Sequence, residues 1–185
     1  MRSKSMRLRK ITTEEFRTIR PTPLLLKTLS RTPCVVLLEN VRSAHNVGSV
    51  FRTADGMRAE KLLLTGITPC PPNPHIQKTA LGATEVVPWE YEENSLVAAQ
   101  KMKDAGMQLV ALELTHESVL YTQLTYRFPV CVVIGNEVSG VSPEMLALCD
   151  AAVSIPMLGR AHSLNVASAT AIMLYEVLRH HEGLL

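Results

Sequence analysis

The sequence predicts one α/β domain, a parallel sheet flanked by helices, behind a basic N-terminal extension. Five short runs of continuous Val, Ile and Leu alternate with helical patterns, as expected of strands that are buried on both faces of a parallel sheet. The 185 residues are 46% hydrophobic and 19% charged. This composition is typical of a globular chain with its own core and argues against wholesale disorder.

The extension comprises residues 1–31 and the domain residues 32–185. The extension carries nine Lys and Arg against two Glu, a net charge of +7, whereas the domain carries ten basic and fifteen acidic residues, a net charge of −5. A basic arm on a mildly acidic body indicates a polyanionic partner, and a solvated or disordered tail is the alternative. The stretch TTEEFRTIR predicts a short helix capped by Thr12 or Thr13, which RPTPLLL then ends.

The domain's elements follow in order from the apolar runs. No run reaches the roughly 18 residues that a membrane span needs, and the basic N-terminus lacks the apolar core of a secretory signal. The predicted strands are 34–39, 61–66, 108–114, 129–135 and 151–156, and the predicted helices are about 47–55, 94–105, 142–148 and 165–180.

The four cysteines form no CxxC pair, and Cys34 and Cys131 lie inside predicted strands. Buried free thiols are the expected state, as in a cytoplasmic protein, and no metal site is predicted.

Ligands of such sheets bind beyond the carboxyl ends of the strands, so the post-strand segments matter most. In the first, residues 39–56, Asn46 is placed to cap a helix. Arg52 projects from the polar face, one turn beyond Gly48, and a glycine there leaves room for a partner's backbone. A solvent-exposed Arg on an amphipathic helix is the alternative.

In the second segment, residues 132–146, Gly135 ends a buried strand, and Glu137 and Gly140 follow in a tight turn. The segment matches neither the dinucleotide fingerprint nor a P-loop, and ordinary turn glycines at a strand end are the alternative. The third places His162, Ser163 and Asn165 ahead of a helix rich in small residues. Capping accounts for Ser163 or Asn165, but hardly for both.

Taken in order, the three segments resemble the SPOUT superfamily of RNA methyltransferases, and more narrowly its SpoU/TrmH branch, which methylates ribose 2′-hydroxyls. The first motif of that branch is matched by Asn46 and Arg52, and the second by Gly135, Glu137 and Gly140. Its third, an I-P-M-x-G loop running into S-L-N-V, is matched within residues 155–166. The resemblance covers about residues 33–181.

This resemblance implies a deep trefoil knot in the C-terminal part of the sheet, S-adenosylmethionine bound in the knot, and a site completed across a homodimer. It implies tRNA or rRNA as the partner, with neither DNA nor membrane. The implied cofactor contacts are Leu112, Gly135, Ile155 and Leu164, with the glycines explained by adenosine lying against backbone. The implied catalytic residues are Asn46, Arg52, Glu137, Ser163 and Asn165.

A guanidinium normally carries only hydrogen-bond donors, so Arg52 is expected to anchor a phosphate and to stabilise developing negative charge. Ser163 and Asn165 are expected to orient the hydroxyl, and Glu137 to hold Arg52 or to receive the proton; the base is left open. Two other functions are weighed. A catalytically inactive RNA-binding module is disfavoured because every expected polar position is filled, and a nucleotide-dependent oxidoreductase because the glycine fingerprint is missing.

Overall fold

The computed structural model describes residues 8–19 and 21–181. The chain divides into two compact units, residues 1–30 and residues 31–185. The first contains two short helices, α1 (Thr13–Ile19) and α2 (Pro23–Thr28).

A reciprocal cap fixes the start of α1. The Thr12 Oγ1 accepts a hydrogen bond from the Glu15 N–H at 3.2 Å, and the Glu15 carboxylate accepts one from the Thr12 N–H at 2.8 Å. Each side chain thus accepts from a backbone N–H group at the helix start that has no partner within the helix. The predicted helix and its Thr12 cap are therefore confirmed.

The second unit is built on one sheet of seven parallel strands, in the order β3-β2-β1-β6-β4-β7-β5. Helices cover both faces, which confirms the predicted α/β class. The strands are β1 (Thr32–Glu39), β2 (Ala59–Thr65), β3 (Trp89–Glu92), β4 (Gln108–Leu112), β5 (Val119–Leu120), β6 (Val130–Ile134) and β7 (Ala151–Ser154).

Apolar side chains divide into two clusters, one on each face of the sheet. Phe51 and Met173 belong to the first cluster, under α3, α4 and α7, and Ala99 and Met145 belong to the second, under α5 and α6. The strands feed both clusters, as their continuous apolar runs require. The helices are α3 (Ala44–Gly56), α4 (Pro74–Ala80), α5 (Ser95–Asp104), α6 (Pro143–Leu148) and α7 (Val166–His180), with a short 3₁₀ turn at Ala83–Glu85.

Four of these helices and strands are absent from the sequence-based prediction, namely α2, α4, β3 and β5, and so is the 3₁₀ turn. Strand β3 reads WEYE, which has no apolar run, and β5 is only two residues long. The start of α4 carries a local signal, because Asn73 caps it and Pro74 occupies its first position.

All four cysteines are free, and Cys34 and Cys131 are buried, as predicted. Burial raises the pKa of the Cys34 thiol to about 12, so this group is neutral and inert. Within residues 8–19 and 21–181, no helix combines the length and apolarity needed to cross a bilayer.

The strand register brings four carboxyl ends to one edge of the sheet. Leu38 of β1 pairs with Ile134 of β6, and Leu112 of β4 pairs with Val153 of β7. The segments that follow β1, β4, β6 and β7 therefore leave the sheet side by side.

Candidate active site

The Glu137 carboxylate joins the loop after β6 to the start of α3. It accepts hydrogen bonds from the backbone N–H groups of Arg42 at 2.8 Å and Ser43 at 3.0 Å, and from the Asn46 Nδ2 at 2.9 Å. Burial of the carboxyl works to raise its pKa, but these three donors outweigh that effect and lower the pKa of Glu137. Glu137 is therefore a fixed anion and a weak proton acceptor.

Asn46 continues this network to the last helix. Its Oδ1 accepts a hydrogen bond from the Asn165 Nδ2 at 3.1 Å. The Asn165 Oδ1 in turn accepts from the backbone N–H groups of Ala167 at 3.0 Å and Ser168 at 3.4 Å, which caps α7. Three of the predicted catalytic residues thus form one hydrogen-bonded cluster.

The prediction that Asn46 caps α3 is wrong. Ser43 is the cap, because its Oγ accepts from the Asn46 N–H at 3.3 Å, and the helix begins at Ala44. Asn46 lies within the first turn, which leaves its side-chain amide available to Glu137 and Asn165.

Ser163 does not cap α7, since Asn165 alone fills that role. The Ser163 side chain is exposed, and its hydroxyl has no hydrogen-bond partner within the described part of the chain. It lines the cavity described below, so its hydroxyl is available to a ligand.

Arg52 lies apart from the cluster. In an α-helix a residue six positions after Asn46 is about 9 Å further along the axis and about 120° around it. Arg52 is exposed, and the described residues give it no hydrogen bond or ion pair. The predicted contact with Glu137 is not formed within this chain, because the Glu137 oxygens face the start of α3.

Gly48 has a different role from the predicted one. It is buried, and a Cβ at this position would overlap the Thr79 Oγ1 and the Ile76 carbonyl oxygen of α4. The missing side chain admits the chain's own α4 rather than the backbone of a partner.

A cavity of about 610 Å³ lies beside the cluster at the carboxyl edge of the sheet. All four residues predicted to bind the cofactor line it, as do Glu137, Ser163 and Asn165 among the predicted catalytic residues. Asn46 adjoins it through its two hydrogen bonds, whereas Arg52 does not line it. The residues predicted to contact the cofactor are Leu112, Gly135, Ile155 and Leu164.

The loop between β6 and α6 forms one wall and closes on itself. Asn136 and Gly140 exchange two backbone hydrogen bonds of 3.0 Å, and Gly140 has a φ of +69°. A Cβ on Gly135 would overlap the Gly140 carbonyl. Both glycines are therefore required by the turn itself, in agreement with the tight turn predicted from the sequence.

Two further carboxylates, not predicted from sequence, hold this loop in place. Glu39 is 3% exposed and accepts from the Ser142 Oγ at 2.6 Å and the Ser142 N–H at 3.0 Å. Glu113 accepts from the Val141 N–H at 2.9 Å. Each follows an apolar strand run directly, and an acidic residue at that position is the signal that could have found them.

Comparison with known proteins shows which family shares this arrangement. Residues 33–175 match the model of the SpoU rRNA methylase family. A tRNA (guanosine(18)-2′-O)-methyltransferase of Aquifex aeolicus is 34% identical, and the match covers 80% of this chain and 70% of that one. The enzyme of the same name from Escherichia coli is 32% identical, with 80% of this chain and 64% of that one covered.

Solved structures of related proteins are similar to this chain in fold as well as in sequence. The Aquifex aeolicus TrmH/SpoU tRNA modifying enzyme matches with a TM-score of 0.75 and 33% identity, covering 84% of this chain and 81% of that one. An AdoMet-bound rRNA methyltransferase of Sinorhizobium meliloti matches with a TM-score of 0.76 and 31% identity. The match covers 91% of this chain and 70% of that one. The segment that matches the family model, residues 33–175, includes Asn46, Glu137 and Asn165.

Proposed function

The chain belongs to the SpoU rRNA methylase family, and we propose that it transfers a methyl group from S-adenosylmethionine to a ribose 2′-hydroxyl of a structured RNA, either a tRNA or an rRNA. The observation that carries this proposal is the Glu137–Asn46–Asn165 cluster beside the cavity, inside the matched segment. The named relatives that methylate a guanosine 2′-oxygen support it.

The cavity suits the cofactor in size and in chemistry. Its volume of about 610 Å³ falls in the usual range for small-molecule sites. Apolar walls from Leu112, Ile155 and Leu164 would hold the adenosine, and the backbone at Gly135 would lie against it. When bound, S-adenosylmethionine supplies an electrophilic methyl group on a sulfonium.

The cluster positions the polar side chains that face the hydroxyl. Asn46 commits both ends of its amide, one to Glu137 and one to Asn165. This fixes the Asn165 amide at the cavity, next to the exposed Ser163 hydroxyl. Ser163 and Asn165 orient the ribose hydroxyl, and such positioning can lower a barrier by several kcal/mol.

Arg52 binds and stabilises negative charge and does not remove the proton of the ribose hydroxyl. Its guanidinium carries only hydrogen-bond donors, and its planar fork suits a phosphate of the RNA backbone. Arg52 therefore anchors the phosphate next to the target ribose and stabilises negative charge that develops on the ribose oxygen.

The position of Arg52 supports a homodimer in which this residue enters the site of the other subunit. Arg52 lies six residues beyond Asn46 on α3 and does not contact Glu137 within the described chain. The contacting helix α7 leaves Ile172 36% and Tyr175 51% exposed, and the Tyr175 hydroxyl lies beside Gly56 of α3. An apolar face next to an unpaired Arg suits contact with a second copy.

The chain path in the C-terminal half supports the trefoil knot. Strand β6 inserts between β1 and β4, and β7 returns between β4 and β5. The segment that leads into β6 lies on the same face of the sheet as α7, where the Tyr126 hydroxyl contacts the Met173 sulfur at 3.6 Å. A C-terminal helix threaded beneath that segment closes the knot.

Alkaline hydrolysis tests the proposed reaction. Alkali cleaves RNA through the 2′-hydroxyl, so a methylated ribose protects the linkage that follows it. After incubation with methyl-labelled S-adenosylmethionine and total RNA, we expect label in alkali-resistant dinucleotides. Label in mononucleotides would indicate base methylation, and RNA binding without transfer would indicate an inactive module. Either result would contradict the proposal.

A further inference from the structure

Glu113 places a second carboxylate in the wall of the cavity. It follows β4 directly, after Leu112, and each of its oxygens accepts one backbone hydrogen bond: Oε1 from Leu114 and Oε2 from Val141, both at 2.9 Å. The carboxylate also lies against Gly140, where a Cβ would overlap Oε2. Its position is therefore fixed by two elements that border the cavity.

No cation among residues 8–19 and 21–181 pairs with the charge of Glu113. Both of its hydrogen-bond donors are neutral N–H groups, and no Lys or Arg of the described chain forms an ion pair with it. The residues that line the cavity include two carboxylates, Glu113 and Glu137, one His and no Lys or Arg. Glu137 turns its oxygens to the start of α3. Both carboxylates therefore lack a cationic partner within the described chain, and that of Glu113 is held in the cavity wall by its bonds to Leu114 and Val141.

We propose that Glu113 is a specificity-determining residue that favours the cationic cofactor over its neutral product. This inference rests on the proposed function. S-adenosylmethionine carries a sulfonium, an ammonium and a carboxylate, with a net charge of +1. When the methyl group passes to the ribose oxygen, the sulfur retains the electron pair of the broken bond and becomes a neutral thioether, so S-adenosylhomocysteine has no net charge.

A carboxylate in a partly desolvated wall attracts a cation more strongly than it would in water. That attraction strengthens binding of the methyl donor, and it is lost once the methyl group leaves. Glu113 thereby aids exchange of product for fresh cofactor.

Calorimetric titration of the full-length protein tests this role, with S-adenosylmethionine, S-adenosylhomocysteine and sinefungin as the ligands. Sinefungin carries an amine in place of the sulfonium methyl and so retains the positive charge. Glu113→Gln should raise the Kd of both cationic ligands about three- to tenfold and change that of S-adenosylhomocysteine less than about twofold. Glu113→Asp, which keeps the charge, should preserve the wild-type ratio of the Kd values.

The matched control is Glu117→Gln, which removes the same charge from an exposed residue outside the cavity wall. It should leave all three Kd values unchanged. Gln places an amide near the Val141 N–H and can disturb the loop, so Glu113→Ser serves as a second charge-removing variant if the Gln chain does not fold.

Equal weakening of all three ligands would overturn the proposal, because it would show that Glu113 only holds the loop. Unchanged Kd values would overturn it as well. Failure of the wild-type protein to bind S-adenosylmethionine at all would instead reject the proposed function, so the two failures are distinguishable.

Discussion

Asn46 and Asn165 lie 119 positions apart in the chain and share a hydrogen bond of 3.1 Å. Through it the start of α3, which Glu137 holds, is tied to the residue that caps α7. Asn165 both donates to Asn46 and caps α7, so a substitution there is expected to affect stability and activity together. Two variants are needed to separate these effects.

Asn165→Ser and Asn165→Ala make this separation. Ser is a competent helix cap but lacks the amide that reaches Asn46, whereas Ala loses both functions. We expect the free energy of unfolding of Asn165→Ser to lie within about 0.5 kcal/mol of the wild-type value, and that of Asn165→Ala to be lower by about 1 kcal/mol. Both should lose at least tenfold in kcat. Urea unfolding and turnover measured on the same preparations check this, and a Ser variant with full activity would reduce Asn165 to a cap.

Arg52→Ala should abolish turnover and leave the Kd of S-adenosylmethionine nearly unchanged, because Arg52 does not line the cavity. Arg52→Lys should restore little activity, since a point charge does not replace the planar fork. Single-turnover rates and calorimetric Kd values measure the two effects.

Arg127→Ala is the control for that pair, because Arg127 is also exposed but lies at the amino edge of the sheet, opposite the edge that carries the cavity, where its backbone N–H donates to the Gln108 side chain. An Arg52→Ala chain that keeps more than about a tenth of the wild-type rate, a barrier change under about 1.4 kcal/mol, would remove Arg52 from the mechanism.

Mixing two inactive chains tests the dimer. If Arg52 enters the site of the other subunit, equal amounts of Arg52→Ala and Asn165→Ala chains should recover about a quarter of wild-type activity: half of the dimers are mixed, and each mixed dimer has one intact site. Mixing Arg52→Ala with the double variant should recover none. No recovery from exchanged dimers, or a monomer by sedimentation at micromolar concentration, would contradict this arrangement.

Strands with continuous apolar runs could be predicted from sequence, since burial on both faces of a parallel sheet imposes that pattern. Strand β3 alternates polar and aromatic residues at the sheet edge and could not be recognised in this way. The insertion of β6 between β1 and β4 was also beyond the sequence, because strand order depends on pairing between distant segments.

The candidate site also has features that the sequence predicted and features that it did not. The cavity residues followed from motifs that stand directly after strands, and the structure brings Glu137, Ser163 and Asn165 together there. The predicted cap at Asn46 was wrong because α3 begins three residues earlier than predicted, and the predicted role of Gly48 was wrong because it depends on which helix packs nearby. Ser43 takes the cap that was assigned to Asn46, and α4 occupies the space beside Gly48.

Deleting residues 2–20 should weaken RNA binding and flatten its salt dependence, with cofactor affinity unchanged. The domain is net acidic, so the basic extension supplies the attraction to a polyanion, and each phosphate neutralised contributes about 0.7 to 0.9 to the log–log slope. Because backbone contacts carry no sequence information, cognate and unrelated RNA should lose similar affinity. Binding titrations at several salt concentrations measure both quantities.

Deleting residues 2–20 also removes α1. A full-length chain in which Lys4, Arg7 and Lys10 are changed to Gln is the control, because it removes positive charge and keeps the helix. It leaves Arg9, whose guanidinium pairs with Glu15 at 2.6 Å, in place. This chain should show part of the same flattening. Full RNA affinity and an unchanged slope in the truncated protein would show that the extension is a solvated tail.

The site of methylation on the nucleoside tests the central claim most directly. RNA treated with the protein and deuteromethyl S-adenosylmethionine is digested to nucleosides, which are fragmented in a mass spectrometer to separate base from sugar. Wild-type protein should place the deuterium on the sugar fragment, and Asn165→Ser should place at most a tenth as much there. Deuterium on the base fragment, or equal labelling by Asn165→Ser, would contradict ribose methylation by the Glu137–Asn46–Asn165 cluster.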